Sequence, residues 1–158
     1  MSCPRILIAV ILTLALSATA GRAGEAANAN LDILVDTIRA NRKALVAANL
    51  TLSDEEAGRF WPLYDKYQTE LNAVQDRAVK VIQDYTASFH DLSNEQAMKL
   101  ADDWLSAEGD RVKVRRDYLP QFAQVLPGKK VVRFYQIENK MDAVLRYELA
   151  AQIPVVEQ

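Results

Sequence analysis

From Phe60 to Tyr85 the apolar positions fall four and three residues apart in turn: Phe60, Tyr64, Tyr67, Leu71, Val74, Ala78, Val81 and Tyr85. This alternation is an a/d seam along one long helix, and Trp61, Leu63 and Ile82 widen it beyond a simple two-stranded contact. A shorter helix precedes it, roughly Leu31 to Ala48. There Leu31, Leu34, Val35, Ile38, Leu45 and Val46 share a face, and Arg39, Arg42 and Lys43 lie on or near the other side. A third helix runs from Ser93 to about Tyr118, with Ala97, Leu100, Ala101, Trp104 and Leu105 as its apolar face. Its middle, Glu108 to Asp117, is mostly charged, with Gly109 as a weak point and Val112 and Val114 carrying little core. Pro120 kinks or ends it, and Phe122, Val125 and Leu126 follow as an apolar tail. The fourth helix starts near Pro127, which suits a first turn because its missing N–H would be unpaired there. Val131, Phe134, Ile137, Met141, Leu145 and Leu149 then step at the helical period until Ile153-Pro154 stops it. No hairpin dipeptide or sustained alternation signals a strand. The pattern predicts an all-α fold, four helices in an open or kinked antiparallel hairpin or bundle.

A helix-start signature occurs twice, forty positions apart: Leu52-Ser53-Asp54-Glu55-Glu56 and Leu92-Ser93-Asn94-Glu95-Gln96. In each, Ser can cap the helix, and Glu56 or Gln96 three residues later can reach back to the cap's own N–H. The Leu before the Ser can staple the entering chain. Pro62 falls ten residues into the second helix. It cannot donate to residue 58, which is Gly and relieves the crowding, so a bend is predicted there rather than a later helix start.

The first twenty residues read as a secretory signal: Arg5, an apolar run from Ile6 to Leu16, then Ala18-Thr19-Ala20, with cleavage after Ala20. The run is short for a membrane span, which takes about 20 residues, so no stable membrane anchor is expected after cleavage. Residues 21–30 form a small, polar leader, and residues 31–154 form a single helical domain. Removal of Arg5 leaves 18 basic against 21 acidic side chains, a formal charge of −3, which argues against a nucleic-acid partner. Cys3, the only cysteine, leaves with the signal. The exported chain then has neither disulfide nor thiolate metal site and is held by packing alone.

Catalytic chemistry is sparse. His90 is the only histidine and stands beside a turn, where a solvated side chain is the default. No nucleophile elbow, phosphate-cradling Gly-rich loop or dinucleotide fingerprint occurs. No metal, cofactor or catalytic residue is expected, and the chain is not read as an enzyme. Two features could bind a partner. In the run Arg111, Lys113, Arg115, Arg116, helical spacing puts Arg111 and Arg115 together, Arg116 nearby and Lys113 away. The alternative is a solvated face balanced by Glu108, Asp110 and Asp117. Phe60, Trp61, Tyr64 and Tyr67 crowd eight positions. They serve either the core or a binding or dimer surface, a role that suits Tyr because one end is apolar and the other wet.

The paired capping motifs resemble the L-T-x-x-Q motifs of the Spy/CpxP family of periplasmic helical proteins. Leu92-Ser93-Asn94-Glu95-Gln96 matches with Ser for Thr, and Leu52-Ser53-Asp54-Glu55-Glu56 departs further, with Glu for Gln. Arg42-Lys43-Ala44-Leu45-Val46, Phe60-Trp61-Pro62-Leu63-Tyr64, Leu126-Pro127-Gly128-Lys129-Lys130 and Arg133-Phe134-Tyr135-Gln136-Ile137-Glu138 look like a branch of that family. The resemblance spans Arg42 to Ile153. It implies a periplasmic homodimer of cradle-shaped, four-helix protomers. It also implies an ATP-independent chaperone, or envelope-stress binding protein, that holds non-native clients. An adaptor for one envelope partner, such as a sensor-kinase domain, is the alternative. Two departures stand out: the chain is slightly acidic where the family's cradle is basic, and the almost continuous seam of the Trp- and Tyr-rich second helix would bury surface that a client needs; the single His further disfavours the family's metal-binding relatives.

Overall fold

The computed structural model describes residue 33 and residues 35–156. The segments read as a signal peptide and leader, together with Leu31 and Leu34, lie outside the described residues. Among these residues the chain is all-helical: α1 (35–49), α2 (Asp54–Ser88), a 3-10 turn (Phe89–Asp91), α3 (Asn94–Val125) and α4 (Gly128–Gln152). Both long helices open on a closed capping box. The Ser53 hydroxyl accepts from the Glu56 N–H at 3.3 Å, and Glu56 accepts from the Ser53 N–H at 2.8 Å. Ser93 and Gln96 make the same reciprocal pair at 3.2 and 3.0 Å. Glu56 also accepts from Lys130 at 2.5 Å, which ties the start of α4 to the start of α2. That bond, then the capping bond, holds the Glu56 carboxyl below its usual range.

α2 runs unbroken through Pro62 from the capping box, so the earlier start is the real one. α3 continues through Pro120 to Val125, beyond the stop at Tyr118 that the proline suggests. Phe122 explains the continuation. It is fully buried against Phe60, Tyr67 and Phe134, and that packing outweighs one lost backbone bond. Pro127 caps α4 rather than opening it, with its carbonyl accepting from the Lys130 and Val131 N–H groups.

Contacts between α2 and α3 progress in opposite numerical directions. Phe60 meets Phe122, Tyr67 meets Tyr118, and Arg77 pairs with Asp110 at 2.7 Å. α1 is pinned to α2 by Lys43 to Asp65 and Arg39 to Asp76, each at 2.6 Å. Asp76 thus serves a neighbouring helix, while Lys80 pairs within α2 with Asp84 at 2.9 Å.

The main core is aromatic. Phe60, Tyr64, Tyr67, Phe122 and Phe134 are buried together with Val46, Leu50, Leu71 and Val131. Phe122 and Phe134 are closest, at 4.6 Å between ring centroids. A smaller core joins Val35, Val79, Ile82, Leu145 and Leu149. The α2 seam thus drifts. Buried positions follow 60, 64, 67, 71 and 74, then move to 79 and 82, leaving Ala78, Val81 and Tyr85 half-buried. A 3.6-residue helix rotates about 20° per heptad against a strict seven-residue repeat, which accounts for the shift. Leu45, placed by its spacing on the inner face of α1, is exposed.

Phe134 touches α2 and α3 at once. Phe134→Ala is expected to cost about 3–5 kcal/mol of stability, while the exposed Leu105→Ala costs under about 0.5 kcal/mol. Urea titrations followed by circular dichroism check both.

Candidate binding groove

Among the described residues three charged groups are buried, Arg42, Glu138 and Asp142, and their spacing on the helices explains why. On α1, Arg42 lies seven residues after buried Val35 and four before buried Val46. On α4, Glu138 and Asp142 continue the inner row Val131, Phe134, Leu145 and Leu149 at steps of three and four. Facing helices therefore bring opposite charges to one interior point. Arg42 was expected on the outer side of its helix. It is buried, because Glu138 and Asp142 receive it and a buried charge is tolerated only when paired.

The pairing is dense. Arg42 Nε donates to both Glu138 oxygens at 3.2 Å, and Nη2 donates to Oε2 at 2.9 Å and to Asp142 Oδ1 at 2.5 Å. Tyr67 Oη and Gln68 Nε2 also donate to Glu138, at 3.3 to 3.4 Å. Burial works against the Arg42 charge. The two carboxylates outweigh it and hold the guanidinium protonated more firmly than usual. Burial, followed by the Glu138 charge, pushes the phenols of Tyr64 and Tyr67 up.

Asp142 links this cluster to the surface. Its Oδ2 accepts from Arg115 Nη1 at 2.9 Å and from Arg111 Nη1 at 3.3 Å. Arg111 also pairs with Glu108 at 3.1 Å, and Arg146 pairs with Glu108 at 3.2 Å. Tyr135 Oη donates to the Arg115 carbonyl at 2.8 Å, and the Arg115 guanidinium lies 5.7 Å from the Tyr135 ring centre. These side chains border an open groove of about 570 Å³ between α3 and α4. Val112, Leu119, Tyr135 and Ala143 give it an apolar floor, and Arg111, Arg115, Arg116 and Arg146 form its cationic side. Four guanidiniums line it (Arg111, Arg115, Arg116, Arg146), and two carboxylates, Glu108 and Asp142, pair with three of them. Two positive charges are left over. An anionic, partly apolar segment matches that surface.

The basic run thus converges on one groove: Arg111 and Arg115 turn inward to Asp142, Arg116 stays exposed at the rim, and Lys113 points away to Asp117 at 2.5 Å. The aromatic run lies elsewhere. Phe60, Tyr64 and Tyr67 are core, and Trp61 is half-buried at its edge beneath Lys43. Leu52 packs on the main core, and Leu92 lines a second, almost wholly apolar groove beside Tyr85, Leu100, Trp104 and Ile153. His90 is exposed in the 3-10 turn. Among the described residues no group of His, Cys, Asp and Glu is placed to hold a metal, and no helix is long and apolar enough to cross a membrane.

Two expectations follow. Asp142→Ala removes the shared partner of three guanidiniums and should cost about 3–5 kcal/mol in urea titrations. Burial also pushes the Tyr135 phenol up to about 12, with Arg115 opposing and Glu138 adding to it. An unfolded Tyr ionises near pH ~10, so the unfolded state gains as pH rises past that point. The stability that the protonated Tyr135 phenol contributes is intact below about pH 10 and lost between about pH 10 and 12. Tyr135→Phe should make the alkaline loss shallower, as read by denaturation midpoints across pH. Comparisons with protein-family models, with curated proteins and with solved structures found no match for this chain.

Proposed function

We propose that the chain is an exported, Spy/CpxP-like holding protein, its helices arranged as an antiparallel bundle. In this reading it binds non-native segments of envelope proteins in the α3–α4 groove. It needs neither nucleotide nor catalytic chemistry. The observation that carries this reading is the groove's mixed character, an apolar floor beside an excess of two positive charges. Non-native chains expose apolar side chains that such a floor can cover. The arginines speed encounter with acidic segments and set a preference for them. Arg111 and Arg115 are held by Asp142, so their side chains are pre-set and little ordering is lost on binding. Phe60, Tyr64 and Tyr67 act from the core by fixing the helices that border the groove.

The test is aggregation of two unrelated denatured proteins, one acidic and one basic, with and without the purified chain and without ATP. Both are expected to be protected, the acidic one more strongly, with protection slower to develop at higher salt. Ala143→Glu places a bulky negative charge in the groove, beside the arginines that line it. It should weaken client binding about tenfold, equivalent to about 1.4 kcal/mol. Full protection by this variant would remove the groove from the mechanism. A folded parent that protects neither client would end the holding function and favour an adaptor for one envelope partner.

A further inference from the structure

The charges of α4 are unevenly placed. Of its three acidic side chains, Glu138 and Asp142 are buried and only Glu148 is exposed. Of its five basic ones, Lys129, Arg133, Lys140 and Arg146 are exposed, and Lys130 turns in to Glu56. The exposed surface of the helix therefore carries four cations against one anion. α2 is the reverse, with six exposed acids against four exposed bases. It lies on the inner side of α4, where Phe134 meets Phe60, Tyr64 and Tyr67. A slightly acidic chain thus presents a cationic side along α4.

Apolar side chains share that side. Val132, Val144 and Tyr147 are 57, 60 and 73 % exposed. Lys129, Arg133, Gln136, Lys140, Val144 and Tyr147 recur at steps of three and four, opposite the buried row that runs from Val131 to Leu149. No carboxylate belongs to this outer stripe. Among the described residues Lys129 and Lys140 pair with no carboxylate, and Arg133 gives only Nε, to the Asn49 carbonyl at 2.7 Å. The stripe is a ridge between two open grooves, one toward α3 and one toward α1, and Gln136 and Lys140 border both. A ridge does not enclose a small ligand, which needs a concave site. It does suit a broad surface laid across it. Nucleic acid would supply phosphate for the cations but no hydrocarbon for the valines and the tyrosine. An anionic lipid surface supplies both, phosphate outermost and hydrocarbon beneath.

We propose that the outward face of α4 seats the protein, reversibly and lying flat, on an anionic lipid surface. Lys129, Arg133 and Lys140 meet the headgroup phosphates, with their hydrocarbon stems laid along the acyl boundary. Val132, Val144 and Tyr147 enter that boundary, where Tyr is at home because its ring is apolar and its hydroxyl polar. α4 has 25 residues and extends about 38 Å, so the contacts are spread along the surface. No described helix is long and apolar enough to cross a membrane, which fits seating on the surface. The same field keeps the acidic α2 away from the lipid and so orients the molecule. This seating does not rest on the client-holding reading.

Co-sedimentation of the purified chain with vesicles tests the seating. Vesicles of phosphatidylcholine alone are compared with vesicles of phosphatidylcholine and phosphatidylglycerol in equal parts. Binding is expected to be at least about tenfold tighter to the anionic vesicles and to weaken as salt is raised. The apolar run at the N-terminus is common to both vesicles and to every variant, so it does not produce these differences. One cation near such a surface contributes about fivefold, so the reversal Lys140→Glu should weaken binding about tenfold or more. Lys66→Glu makes the same change on the exposed side of α2 and should weaken it less than about twofold. Tyr147→Ser should weaken binding several-fold at every salt concentration, because apolar burial is not screened. All three residues are exposed, and circular dichroism verifies that the variants fold. Equal binding to the two kinds of vesicle overturns the proposal, as does equal loss in Lys66→Glu and Lys140→Glu. An unaffected Tyr147→Ser variant overturns seating at the acyl boundary. If neither vesicle is bound while Lys140→Glu loses client protection, the face belongs to a protein partner and the lipid proposal falls.

Discussion

The Arg42 guanidinium, buried between α1 and α4, fixes how the rest of the molecule is arranged. It bonds to residues 96 and 100 positions away, Glu138 and Asp142, and so brings the two ends of the described chain together. Its contribution is to specificity more than to net stability. Desolvation of two or three charges consumes most of what their attraction returns, and a well-packed apolar replacement can be as stable. What an ion cluster does not tolerate is misalignment. Slipping α1 against α4 by one residue would bury an unpaired guanidinium and an unpaired carboxylate. The aromatic core alone is less exacting, since rings accept several tilted and edge-on arrangements.

The same cluster connects interior to surface. Asp142 presents one oxygen to Arg42 inside and the other to Arg111 and Arg115 outside. Three cations converge on one carboxylate, which leaves a local positive excess on a chain that is slightly acidic overall. The mean charge is therefore a poor guide to the groove. A modest net value hides a strongly uneven distribution, and at about 8–10 Å of screening length a ligand feels the local one. The shape of the groove has a similar origin. α3 and α4 meet closely at Phe122 and Phe134 and are braced by Tyr135, while smaller side chains such as Val112 and Ala143 leave space between the charged rows.

Much of the fold was legible in the sequence because its signals are local. The capping serines at 53 and 93, the four-three spacing of α2 and the scarcity of Gly and Pro each act within a few residues. Pro120 was misleading because its local penalty is set against the burial of Phe122, a contact made with helices far away in sequence. Arg42 was misread for the same reason. On α1 alone a charge near the polar side reads as solvated. Its burial becomes visible only when Glu138 and Asp142 are seen to interrupt an apolar row on another helix with the opposite charge. That pairing of interrupted rows was the available signal. Of the candidate residues, the arginines were recognisable as a cluster from their spacing on one helix. Their groove was not, since Tyr135, Ala143 and Arg146 come from α4.

The most direct measurement of the organising role given to Arg42 is a double-mutant cycle with Glu138. Arg42→Ala, Glu138→Ala and the double variant would be compared with the parent by urea denaturation. If the ion pair organises the interior, each single change strands the other charge, and removing both recovers part of the loss. The coupling should then be about 2–3 kcal/mol, at the upper end for residues in contact. Additive losses would contradict this account and leave the aromatic core as the determinant of how α1 meets α4.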